Sequence, residues 1–157
     1  MNNRKIINRK DFLKITTLGV AALSGVLNFT KLNAEEKTDT AAINENLKKV
    51  TGKSMAEMKE DGITLQAPPI AESGAEVPVK VDVSLPVEQV KSIHVFVDNN
   101  PSPHIIGMTV SALSGRAYLD AMIRFAKSSS VRAVAVMKDG SAIIATKSVK
   151  VTVGGCG

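Results

Sequence analysis

From residue 77 onward the apolar positions of this chain recur with a period of two. In "VPVKVDVS" Val77, Val79, Val81 and Val83 alternate with Pro78, Lys80 and Asp82, the pattern of a strand with one dry and one wetter face. Pro78 cannot donate to a ladder, which suits a strand start or an edge. "KSIHVFVDNNPSP" repeats the pattern with Ile93, Val95 and Val97 and stops at the Asn and Pro cluster at 99–103. "HIIGMTVSALSG" supplies a third strand and a turn. "AYLDAMIRFA" then sets Leu119, Ala121, Ile123 and Phe125 against Tyr118, Asp120, Met122 and Arg124. "SSSVRAVAVMKDGSAIIATKSVKVTV" reads as two extended runs joined at "KDGS", where Asp139 and Gly140 favour a hairpin. Upstream the period is helical. "TDTAAINENLKKVTG" places Ile43, Leu47 and Val50 four and three apart, with Thr38 or Thr40 as a cap and Gly52 as a stop. This predicts a short amphipathic helix packed on its own domain. "KSMAEMKEDG" follows as a polar connector whose methionines pack and bind no metal.

Short alternating strands at intervals of roughly ten residues predict an all-β fold, an immunoglobulin-like antiparallel β-sandwich. The expected organisation is an export signal over 1–34, a short helix and linker over 35–75, the sandwich core over 76–153, and a flexible Gly-Cys arm over 154–157. At 157 residues the chain has room for one ordinary domain and a leader. Apolar residues make up 44% but aromatics only 3%, so the core must be built from aliphatic side chains.

Charge changes the picture at the N-terminus only. Arg4, Lys5, Arg9, Lys10, Lys14 and Lys31 stand against one acid, Asp11, and so carry the whole formal charge of +5. The remaining residues balance at fourteen basic and fourteen acidic, with no basic run to track a phosphate backbone. Nucleic-acid binding is therefore excluded. The cationic start, the apolar stretch from Ile15 to Leu27 and the "LNA" before Glu35 form a cleavable export signal, with cleavage expected after Ala34 and the periplasm as destination. "NRKDFLK" resembles a twin-arginine signal in which Lys10 replaces the second arginine; an ordinary secretory signal is the alternative. The apolar stretch is short for a bilayer span, and no stable membrane insertion is expected.

Candidates for chemistry are few. His94 and His104 could ligate a metal, but no Cys, Asp or Glu at suitable spacing completes a site, so neither a metal nor another cofactor is expected. A dyad of Cys156 with either histidine would need fixed geometry, which glycines beside the sulfur oppose. Asp98, Asp120 and Arg124 read as solvent-facing strand charges. Cys156 itself is the single cysteine, penultimate in "KVTVGGCG" and set among Gly154, Gly155 and Gly157. In an exported protein such a cysteine pairs with another chain, stays free, or carries something. With an ordinary thiol pKa near 8.5 only about 3% is thiolate at pH 7, so a partner's site must activate it. From Val153 the backbone to Cys156 can extend roughly 10 Å, enough to enter such a site.

"APPIAESGAEVPVKV", "VKSIHVFVDNNPSP", "SSSVRAVAVMKDG" and the terminal "VKVTVGGCG" together resemble the SoxY family of the periplasmic thiosulfate-oxidising Sox system. The resemblance implies an immunoglobulin-like sandwich that catalyses nothing alone and forms a heterodimer with SoxZ. It implies that Cys156 is the covalent sulfur attachment site and that Gly154, Gly155 and Gly157 form the arm. The implied cycle begins when a haem enzyme, SoxXA, joins thiosulfate oxidatively to Cys156. A hydrolase, SoxB, then releases sulfate, and a sulfur dehydrogenase can oxidise the remaining sulfane. The family's usual ending has a second glycine after the cysteine, one more than here. The alternative is an exported sandwich binding protein in which Cys156 forms an intermolecular disulfide.

Overall fold

The computed structural model describes residues 40–153. They build one helix, α1 (Thr40–Thr51), and eight strands: β1 (Ile63–Gln66), β2 (Ile70–Ser73), β3 (Val77–Val83), β4 (Val90–Val97), β5 (His104–Thr109), β6 (Ala117–Ile123), β7 (Ser129–Met137) and β8 (Ala142–Val153). The strands form a three-stranded sheet of order β1-β3-β6 and a five-stranded sheet of order β2-β8-β7-β4-β5. The expected sandwich with a short N-terminal helix is present.

The alternating valines meet between the sheets. Val77, Val79, Val81 and Val83 of β3, with Leu119 and Ile123 of β6, pack against Ile93, Val95 and Val97 of β4 and Val131, Ala133 and Ala135 of β7. β3 and β6 run antiparallel from Val77↔Ile123 to Val83↔Ala117, which puts both inward sets in step. β1 pairs β3 only over Lys80–Val83, so Pro78, nearer the strand start, has a single neighbour and needs no second ladder bond. The β7–β8 hairpin closes as its sequence predicts. Gly140 takes φ +84, Met137 N–H donates to the Ser141 carbonyl at 2.8 Å, and Ser141 N–H donates to the Asp139 carboxylate at 2.8 Å.

Two expectations need correction. The linker over 35–75 contains β1 and β2, so the sandwich begins near Ile63 and not at residue 76. β2 also runs parallel to β8, so the fold is not wholly antiparallel. The physical reason is brevity: four residues on either side of Pro68 and Pro69 bury only Leu65 and Ala71, too few to show a period.

A second apolar layer lies on the outer face of the five-stranded sheet. Ile43 and Leu47 of α1 and Met58 pack on Phe96, Val134, Val136, Ala142 and Ile144. The helix thus packs on its own domain as its periodicity predicts, ending at Gly52, whose N–H donates to the Lys48 carbonyl at 2.9 Å. Met55 N–H donates to Asn44 Oδ1 at 3.2 Å and ties the following turn to the helix. Met58 is buried and Met55 partly so, the packing role expected of them.

Leu47→Ala is expected to destabilise the domain by about 3 kcal/mol, because a fully buried leucine leaves both a transfer loss and a cavity. Urea denaturation checks this, and a loss below about 1 kcal/mol would mean that α1 is only loosely docked.

Candidate functional site

The last strand leads to the candidate site. β8 pairs with β7 from Val136↔Ala142 to Ser129↔Val149, and beyond Val149 it has no further β7 partner. Its last residues are held from the other side. β2 runs beside them with Ile70↔Lys150, Ala71↔Val151 and Ser73↔Val153 in register. Lys150 N–H donates to the Pro69 carbonyl at 2.9 Å, and Gly74 N–H donates to the Val153 carbonyl at 2.8 Å. Thr152 Oγ1 lies 3.0 Å from the Ala71 carbonyl and 2.9 Å from that of Glu72. On the side that β7 has left, Ser128 stands in for a strand: its Oγ accepts from Val151 N–H at 2.9 Å. Val153 is nevertheless 66% exposed. The strand therefore reaches the end of the sheet with its backbone held and its tip in water.

Cys156, Gly154, Gly155 and Gly157 lie outside the described residues, as does the expected signal over 1–34. The structure does bear on the thiol–histidine dyad. His94 is in register with Val134, and Val134 with Ile144, nine residues before Val153. That is roughly 30 Å along a strand. His104 is in register, through Phe96 and Arg132, with Thr146, seven residues before Val153 and roughly 23 Å away. Three residues beyond Val153 span at most about 10 Å, so neither histidine can meet Cys156 of its own chain.

The two histidines do meet each other. His94 Nδ1 and His104 Nε2 are 3.2 Å apart, and His94 Nε2 is 3.0 Å from Ser92 Oγ. Burial first, and then the neighbouring His104, hold the His94 imidazole below its usual pKa. Among the described residues no group of three or more His, Cys, Asp or Glu converges.

The remaining charges divide. Asp98 is corrected: its side chain is fully buried, and Arg132 grips it through Nε at 2.9 Å and Nη2 at 2.7 Å. The outer face of β4 is covered by α1 and the turn after it, and Arg132 Nη1 also donates to the Met55 sulfur at 3.3 Å, so this position is not wet. Asp120 is exposed, as expected, and pairs with Lys80 at 3.0 Å; Arg124 is exposed too. Arg116 forks onto Asp82 beside them, lining a polar cleft with Thr64, Gln66 and Tyr118. Exposed pairs of this kind stabilise little and place no reactive group. Sequence reading missed Ser128, Thr152 and the β2 residues that hold the end of β8. It also missed Ser92 and Gly107 around the histidines; a glycine inside an apolar strand was the available signal for the latter.

Fold and site together describe a small sandwich whose longest strand is held to its end and stops three residues short of the chain's only cysteine. The family model for the sulfur oxidation protein SoxY matches residues 47–156, and the chain belongs to that family. The structure of the sulfur carrier protein SoxY from Chlorobium limicola f thiosulfatophilum is similar, with a TM-score of 0.60 and 26% identity over 72% of this chain and 98% of that one. A superoxide reductase (neelaredoxin) from Ignicoccus hospitalis shares the fold alone, with a TM-score of 0.51 and 14% identity over 64% of this chain and 88% of that one. No curated protein matches the chain.

Ser128→Ala should cost about 1 kcal/mol and speed hydrogen exchange at the Val151 amide while leaving the Val134 amide unchanged. Unchanged exchange at Val151 would show that β2 alone holds the strand end.

Proposed function

We propose that this chain is a covalent sulfur carrier of thiosulfate oxidation, with Cys156 as the attachment site and Gly154, Gly155 and Gly157 as the arm that presents it. The observation that carries the reading is the family match, which runs through residue 156 and so includes the cysteine. The secured end of β8 supports it, because a fixed root keeps the search volume of the last residues small while their glycines stay narrow enough for another protein's channel.

In the proposed cycle the Cys156 thiol and the outer sulfur of thiosulfate form a disulfide bond. Two electrons leave to the haem enzyme SoxXA and the thiol proton to water. Hydrolysis by SoxB adds water across the S–SO3 bond, releasing sulfate and leaving a persulfide on Cys156. A sulfur dehydrogenase then oxidises that sulfane to a sulfonate, taking oxygen from three waters and passing six electrons to its electron acceptor and six protons to water, and a second hydrolysis releases sulfate and returns the thiol. The chain is the substrate of each enzyme and has no turnover of its own. Residues 1–34 direct export to the periplasm, and SoxZ is the stable partner.

Cys156→Ser should abolish thiosulfate oxidation by the reconstituted system and leave stability within about 0.5 kcal/mol, the range of surface substitutions. Undiminished oxidation would overturn the carrier reading. Purified from its native host, the mature chain should come with a second small β protein covering an open sheet edge. A monomer there would overturn the heterodimer and leave the carrier role standing.

A further inference from the structure

Three local features bring the two imidazoles together. The first is a bulge. His94↔Gly107 and Val95↔Ile106 are in ordinary register, but Phe96 pairs with His104, so Ile105 is an extra residue in β5. Strict alternation would put residue 104 on the inner side with Ile106, which packs on the inter-sheet core. The bulge turns His104 to the outer face, where its ring lies 5.0 Å from that of Phe96 and 5.3 Å from that of His94. The second is Gly107, opposite His94. A Cβ there would lie 3.0 Å from His94 Nδ1 and 3.3 Å from His104 Nε2, so a side chain at this position would crowd the space where both nitrogens converge. The third is Ser92, whose hydroxyl sits 3.0 Å from the far nitrogen of His94.

We propose that His94 and His104 form a two-imidazole chelate for a borderline divalent cation of the zinc or copper kind, on the outer face of the five-stranded sheet. A zinc–nitrogen bond is about 2.0–2.1 Å, so two imidazoles on one tetrahedral ion have facing nitrogens roughly 3.3 Å apart. The pair stands at 3.2 Å, joined by an N–H···N hydrogen bond, so the nitrogens are already spaced for an ion that would take the place of the shared proton. Ser92 completes the logic expected outside a ligand: accepting from His94 Nε2–H, it fixes the tautomer whose Nδ1 carries the lone pair. His104, whose Nε2–H donates to His94 Nδ1 in the empty pair, moves its proton to Nδ1 on binding and offers Nε2. Two protein ligands leave two positions to water or a small anion. This site is independent of the carrier reading and lies far from the root of the arm.

The test uses the full chain carrying Cys156→Ser, so that the thiol cannot supply a ligand, with zinc chloride as the probe. Calorimetric titration at neutral pH should show one saturable zinc ion per chain, and His94→Gln and His104→Gln should each weaken it at least tenfold. Gly107→Ala should weaken it too. The chain has only two histidines, so ring resonances report the site without any further substitution. Both rings should shift together and saturate at one equivalent. Absence of binding at millimolar zinc, binding that leaves both rings unmoved, or unchanged affinity in the two glutamine variants would each overturn the site.

Discussion

The backbone bonds between β2 and the end of β8 are the constraint on which the rest depends. An antiparallel hairpin holds β8 only as far as Val149, and without a second neighbour the four residues after it would fray. A short parallel strand and the Ser128 hydroxyl supply the missing partners, so the ladder continues to Val153. The consequence is positional. The ladder ends at a fixed point, Val153, and only Gly154 and Gly155 stand between it and Cys156 in the sequence.

The five-stranded sheet bears this load because its central strands, β4 and β7, are largely buried on both faces. Val131, Ala133 and Ala135 of β7 face the other sheet, while Val134 and Val136 face α1 and Met58. A sheet covered on both sides by aliphatic packing is stiff without needing many aromatics, which reconciles an aromatic content of 3% with a firm core. Polar groups that enter the outer layer must be matched. Asp98 and Arg132 are matched by each other; breaking such a buried pair by removing one partner costs about 3–5 kcal/mol.

Much of this was legible in the sequence. The inward sets of β3, β4 and β6 are the alternating residues themselves, and the "KDGS" hairpin and the α1 stripe fell where their chemistry placed them. The family was legible from the terminal motif with its strand sequences. What was not legible has common causes. Period two identifies one buried face but cannot say whether the other is also covered, so Phe96 went unremarked and Asp98 was given to solvent. β1 and β2 are too short to carry a period, and parallel pairing across eighty residues leaves no local trace. The convergence of His94 and His104 depends on one extra residue in β5, which reverses the side expected from alternation.

Cys156 follows the secured end of β8 by three positions in the sequence, and its proposed role is to carry sulfur. Intact mass spectrometry of the mature chain from thiosulfate-fed cells tests this most directly. The account predicts a fraction of molecules heavier by sulfur or thiosulfonate groups, removed by a reducing agent and localised to the terminal peptide containing Cys156. A population consisting only of unmodified chains, or of disulfide-linked dimers without a small adduct, would contradict it.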